Sequence, residues 1–208
     1  MEAGRAELSK VIAAAQRSVA APALPSVAVA KAGRLYLVSR TSHLAEGWCD
    51  RVPALELAGD TALGEAVREA ARALDVDVVW QSPADVIPLP KGWAERSIGA
   101  DAFATAGDSG SALEIRHFDP YSVVLRLIAR GDEPDYVAAL EYVLHGWVEP
   151  ARLEDLLAEV VPRMTNDTLA QDPAEFRRKF KGLRQLYLRS HAVYSPGGTR
   201  AGEAVSWP

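Results

Sequence analysis

His117-Phe118-Asp119-Pro120-Tyr121 runs into Leu125-Arg126-Leu127-Ile128-Ala129-Arg130-Gly131 and then into Asp135-Tyr136. Here the chain changes character. Residues 113–117 alternate as a strand does. Asp119 ahead of Pro120 marks a helix start, an N-cap acid followed by the residue best tolerated at the first helical position. Gly131 and Pro134 close that helix and open the next. Beyond this point the spacing predicts helices only, over 121–129, 134–144, 151–161 and 173–189. The last has Asp172 as N-cap, Pro173 at the first position and Glu175 three residues after the cap.

Upstream the pattern is mixed. Leu8, Val11, Ile12 and Val19 recur near a 3.6-residue period and predict a helix over 5–20, ended by Pro22 and Pro25. Strands are expected at 34–39 and 54–58. A helix to about residue 74 comes next, with Leu63, Val67, Ala70, Ala71 and Leu74 facing inward. A third strand is expected at 76–80, with Asp75, Asp77 and Val79 on one face and Val76, Val78 and Trp80 on the other. Residues 81–110 are rich in proline and glycine and read as loop, with a short strand near 102–104. Helix, small mixed sheet, then helices is an α+β order rather than a doubly wound one. The expected division is an α+β core over 1–120, a helical part over 121–192 and a flexible tail over 193–208.

Bulk properties bound the function. A chain of 208 residues with 49% hydrophobic residues can bury a core without metal or disulfide support. The net charge of −5 argues against a protein built around nucleic-acid binding, although a local basic patch is compatible with it. Cys49 is the single cysteine, which fits a reducing compartment. No apolar run is long enough to span a membrane, and Glu2, Glu7 and Lys10 interrupt any signal-like start, so a cytoplasmic protein is expected. His43, His117, His145 and His191 have no zinc spacing with Cys49, no Gly-x-Ser-x-Gly nucleophile motif occurs, and Ser109 reads as a turn residue.

Gly59-Asp60-Thr61-Ala62-Leu63 with Asp75-Val76-Asp77-Val78 behind it has the look of a nucleotidyltransferase signature. Two acids two apart on a strand point the same way and can share a metal pair. The simpler reading is an Asx turn into an amphipathic helix, then a strand with two solvent-facing aspartates. The residues downstream favour the simpler reading. Ser82-Pro83-Ala84-Asp85-Val86-Ile87-Pro88-Leu89-Pro90, Gly92-Trp93, Arg96, His117 to Tyr121 and Ala129-Arg130-Gly131 together resemble a family of uncharacterised bacterial proteins with a nucleotidyltransferase-like fold, distant relatives of the AbiE-type abortive-infection toxins. The resemblance covers about residues 74–161. It implies that Asp77 lies on the third core strand and that the acid pair belongs earlier, near Pro53-Ala54-Leu55-Glu56-Leu57.

The chain departs from that pattern. Val38-Ser39-Arg40-Thr41-Ser42 stands where a glycine-rich turn is implied, and the acid pair is reduced to Ala54 and Glu56. Leu127, beside Arg126, replaces a lysine before Ala-Arg-Gly, and a second acid after Asp135 falls on Ala138 or Ala139. One carboxylate holds Mg²⁺ weakly, since that ion relies on a few carboxylates plus substrate phosphates.

The candidate catalytic residues are therefore Glu56 and Asp77, with Mg²⁺ and a nucleoside triphosphate as the implied ligands if the cleft functions. Arg96, His117, Arg130 and Asp135 are candidate ligand-binding residues. For Arg130 and Asp135 a structural ion pair is the simpler reading, and for Asp119 an N-cap role is. In the last helix Phe176, Phe180, Leu183 and Tyr187 share a face, while Arg177, Lys181 and Arg184 form a basic one. That face suits RNA phosphates or an acidic protein, unless it is merely solvated. Three functions are compatible with these residues. The first is a degenerate nucleotidyltransferase-superfamily protein that binds a nucleotide, a nucleic acid or a partner protein in a toxin–antitoxin or defence-like setting. The second is an active enzyme transferring a nucleoside monophosphate to a protein or RNA hydroxyl with a rearranged acid set that includes Glu56, Asp75 or Asp77. The third is a non-enzymatic interaction module.

Overall fold

The computed structural model describes residues 2–20, 33–81, 87–103, 113–164 and 172–193. The chain divides into two compact units, Met1–Pro83 with Arg96–Phe118, and Ala84–Glu95 with Asp119–Pro208. The fold is α+β. The tail expected over 193–208 lies, apart from Val193, outside the described residues, as does Ser109.

The first unit holds a five-stranded mixed sheet. In chain order its elements are β1 (Ala3–Gly4), α1 (Arg5–Ala20), β2 (Gly33–Leu37), α2 (Arg40–Glu46), β3 (Arg51–Val52), β4 (Leu55–Gly59), α3 (Thr61–Ala73), β5 (Val78–Trp80), β6 (Ile98–Gly99) and β7 (Leu113–His117). The sheet order is β5-β4-β2-β7-β6. β2 is antiparallel to β4 and parallel to β7, β4 is parallel to β5, and β6 is antiparallel to β7. β1 and β3 form a separate two-stranded ribbon. Leu35, Leu37, Leu55, Leu57, Leu113 and Ile115 alternate onto one sheet face, where they meet the apolar stripes of α1 and α3. Burying each such side chain stabilises the fold by about 1.5–3 kcal/mol. Gly64 lets the α3 backbone approach the Trp80 indole, since a Cβ there would lie 2.9 Å from the ring.

Two sequence expectations shift here. The short strand lies at β6 rather than near 102–104, and residues 101–103 form a 3₁₀ turn. Asp75 is not on a strand. It is the left-handed residue that ends α3, at φ 53°, with its N–H bonded to Arg72 O and that of Val76 to Ala71 O. These two bonds make a Schellman cap, so β5 starts late and Asp75-x-Asp77 is not an acid pair on one strand.

The second unit is helical: α4 (Pro120–Arg130), α5 (Glu133–Leu144), α6 (Pro150–Val160) and α7 (Pro173–Val193). α4 is its hub. Nearly all its side chains are buried, and it packs on α5, α6 and α7. Asp119 caps it, its carboxylate accepting from Tyr121 N at 3.3 Å and from Ser122 Oγ at 2.6 Å. At α7, Asp172 accepts from Ala174 N at 3.0 Å, while Glu175 turns forward to Arg178 and Lys179. Pro88-Leu89-Pro90-Lys91-Gly92 is fastened to the α6 region. Arg163 donates to Leu89 O at 2.9 Å, and Lys91 N donates to Glu159 at 3.0 Å.

Candidate functional site

The candidate site of the first unit begins where β2 ends. Val38 N donates to Glu56 O at 3.0 Å, one step past the strand. Ser39 then turns the chain at φ 53°, ψ −128°. Side chains seldom occupy that region, and holding one there costs about 1–3 kcal/mol. The turn is fixed by two buried hydroxyls on α2. Thr41 Oγ1 accepts from Glu56 N at 2.7 Å, and Ser42 Oγ donates to Leu37 O at 3.0 Å. α2 is therefore held in place by its bonds to two strands.

Glu56 is half-buried and Asp77 exposed. The parallel register sets Glu56 beside Val79, so Asp77 lies two residues back on the same face. Leu55 N donates to Asp77 O at 2.8 Å, and Gln81 N to Leu57 O at 2.8 Å, extending the ladder at both ends. The Gln81 side-chain amide donates to the Glu56 carboxylate. Ala54 stands two residues before Glu56, where the resemblance implies the other acid of the pair. This donor set does not fit a two-metal centre. One strand carboxylate faces an amide N–H, which a cation would have to displace, and among the described residues no three His, Cys, Asp or Glu side chains lie close enough to hold an ion.

The four candidate ligand-binding residues divide between the units. Arg96 is half-buried in the first. His117, at the end of β7, is 1% exposed, with Nε2 3.0 Å from Glu46 Oε1 at the end of α2. Burial lowers its pKa below the ordinary imidazole value, and the Glu46 and Asp101 carboxylates oppose that shift. Elsewhere on the first unit's sheet, Arg34 donates to Glu114 at 2.9 Å across β2 and β7. Arg116 bridges Glu114 and Ser97, and these guanidinium contacts, Arg116 first, hold the Glu114 carboxyl below its usual range.

In the second unit Arg130 and Asp135 form a bidentate pair, Nε to Oδ2 at 3.0 Å and Nη2 to Oδ1 at 2.7 Å. A guanidinium fork closed on a carboxylate in this way is committed to a structural bond. The rest of the motif is tied down likewise. Gly131 is the left-handed cap of α4 at φ 77°, and Lys179 of α7 reaches over it to donate to Ala129 O at 2.6 Å and Arg130 O at 3.1 Å. Tyr136 donates back to Lys179 O at 3.0 Å, and burial raises its phenol pKa. Ala129-Arg130-Gly131 with Asp135-Tyr136 is thus a clasp joining α4, α5 and α7.

Along α7, Phe176, Phe180 and Leu183 are buried and Tyr187 half-buried, while Arg177, Lys181 and Arg184 are exposed. Sequence reasoning missed Ser39, Thr41, Gln81, Glu46 and Lys179. The only signal for the first two was a polar Ser-Arg-Thr-Ser run directly after a strand. No helix among the described residues is long and apolar enough to cross a membrane. Comparison with known proteins finds no matching family model, no matching curated protein and no matching solved structure.

Proposed function

We propose that this chain is a nucleotidyltransferase-like protein whose catalytic site has degenerated, and that it acts by binding a nucleotide, a nucleic acid or a partner protein. The observation that carries this reading is the state of Glu56. It is the one acid in the sequence of β4, with Ala54 at the partner position and the Gln81 amide on its carboxylate. The order of elements supports the ancestry. The resemblance implies a first strand followed by a glycine-rich turn, an acid pair near residues 53–57, a helix, and a third strand that carries Asp77. β2, the Ser39 turn, β4, α3 and β5 come in that order, with α2 inserted before β4 and Asp77 one residue ahead of β5. Ser39 even takes the positive φ that a glycine would supply there.

The competing reading, an active transferase, rests on Asp77 sharing a face with Glu56. Thermal unfolding with each nucleoside triphosphate, with and without Mg²⁺ or Mn²⁺, separates the two. Ligand at a hundred times its Kd stabilises by about 2.7 kcal/mol. For a chain of this size that raises Tm by roughly 5–10 °C. The binding reading expects any nucleotide shift to survive chelation of the metal and no label to be transferred. A metal-dependent shift that disappears in Glu56→Ala or Asp77→Ala, accompanied by label transfer, would sink it.

A further inference from the structure

The last helix is unbalanced in charge. Six of the 21 residues of α7 are Lys or Arg and one, Glu175, is acidic, in a chain of net −5. Elsewhere in the second unit Arg130 meets Asp135, Arg152 meets Asp155 and Arg163 meets Glu159. Two of the α7 cations are likewise engaged. Lys179 lies over Gly131, and Arg178 stands 3.8 Å from Glu175. Arg177, Lys181 and Arg184 differ from these. All three are exposed, and none has an ion-pair partner among the described residues.

Their spacing joins them into one stripe. They stand at i, i+4 and i+7, neighbours on a single helix face. Phe176, Phe180 and Leu183 are buried and hold the helix down, which leaves the stripe outward. Like charges three and four apart on a helix repel one another. No acid among the described residues offsets that repulsion, and a polyanion laid along the stripe would. From Arg177 to Arg184 the stripe runs about 10 Å, the axial length of about three phosphates on one strand of a DNA duplex.

We infer that this stripe docks on the phosphate backbone of double-stranded DNA, with one phosphate for each of Arg177, Lys181 and Arg184. Two of the three cations are arginines, whose guanidinium fork matches phosphate oxygens. A single strand is held largely by stacking its bases on aromatic rings, and here Phe176, Phe180 and Tyr187 are buried or half-buried. Duplex RNA is recognised through its 2′-hydroxyls as well as its phosphates, and Gln185 is the one exposed neutral polar side chain between Arg177 and Arg189. Insertion into a bilayer needs an apolar face, and that of α7 is buried in the fold. The stripe belongs to the second unit and does not depend on what Glu56 and Asp77 do, so it can fail while the nucleotide reading stands, and the reverse.

The test titrates the full chain into a fluorescein-labelled 20-base-pair DNA duplex and reads anisotropy at salt concentrations from about 50 to 200 mM. Three phosphate contacts give a slope of log K against log[salt] of about −2.7, a loss of about fortyfold over that range. Duplexes of unrelated sequence should bind alike, because phosphate contacts carry no sequence information. Arg177→Gln, Lys181→Gln and Arg184→Gln should each flatten the slope by about 0.9, and the triple variant should abolish binding. Arg189→Gln, about a third of a turn round the helix from Arg177, should leave the slope unchanged. The replaced side chains are exposed and glutamine is a good helix former, so each variant should melt with the parent. If the triple variant melts early, the three single variants carry the test. The inference is overturned if about 100 μM protein in 50 mM salt leaves the anisotropy unchanged. It is overturned equally if the slope is indifferent to the stripe variants, or if Arg189→Gln flattens it as much as they do. Tighter binding to duplex RNA, to poly-glutamate or to phosphatidylserine vesicles, lost in the triple variant, would give the stripe to that partner and overturn the DNA assignment.

Discussion

Gly131 tests the clasp most directly. Its φ of 77° is a conformation that costs a residue with a side chain about 1–2 kcal/mol. A Cβ there would also lie 2.9 Å from both Cδ and Cε of Lys179. The lysine stem must then move, and it is the stem that carries the ammonium to Ala129 O and Arg130 O. Hydrogen bonds to charged groups contribute about 1.5–3 kcal/mol. The Lys179 side chain is 22% exposed, and the stem can yield by a few tenths of an ångström, so about 1 kcal/mol of that is at stake. Gly131→Ala should therefore destabilise by about 2–3 kcal/mol, a Tm drop of roughly 4–12 °C. Urea unfolding monitored by circular dichroism at 222 nm supplies the number, and a double-mutant cycle with Lys179→Ala supplies the reason. Without the stem only the backbone cost remains, so the second substitution should recover about 1 kcal/mol of coupling. Gly131→Asn should fall between, since asparagine tolerates the left-handed conformation but keeps the clash. A cost below about 0.5 kcal/mol would refute the backbone argument. An equal cost in both backgrounds would refute the clasp.

Two further outcomes are expected. His117 is held below its ordinary value near 6.5 by burial, so between that lowered value and 6.5 the unfolded chain binds more protons than the folded one. Its contribution is complete above about pH 6.5 and is lost as pH falls through this window. His117→Gln should flatten the slope of Tm against pH there, and Glu46→Gln, which removes an opposing carboxylate, should carry the loss to lower pH. An unchanged slope in His117→Gln would assign the pH dependence to other groups. Asp75, exposed and left-handed at the end of α3, should gain about 0.5–1 kcal/mol on substitution by glycine. A loss of stability in Asp75→Gly would mean that its carboxylate makes a contact the cap geometry does not need.

What the sequence could disclose was the local part. The helices at Arg5–Ala20, Thr61–Ala73 and from Pro120 onward lie where apolar spacing, caps and prolines put them, because those signals act over a few residues. The α2 helix escaped notice. It has seven residues, opens Arg40-Thr41-Ser42-His43 and carries no amphipathic stripe of useful length. It exists because Thr41 and Ser42 bond to β4 and β2, and no local reading contains those partners. Arg130 and Asp135 are five residues apart and their pairing could be anticipated. Lys179 lies 49 residues from Arg130, and its place over Gly131 could not. In the same way, sequence determined that Glu56 lacks a second acid two residues before it, a matter of residue identity alone. Only the tertiary structure decided that Gln81 covers its carboxylate, that Asp75 is a helix cap and that Lys179 donates to the carbonyls on either side of the α4 end. Those outcomes depend on strand register and helix packing, which bring together residues far apart in the chain, and local propensity carries no record of such pairings.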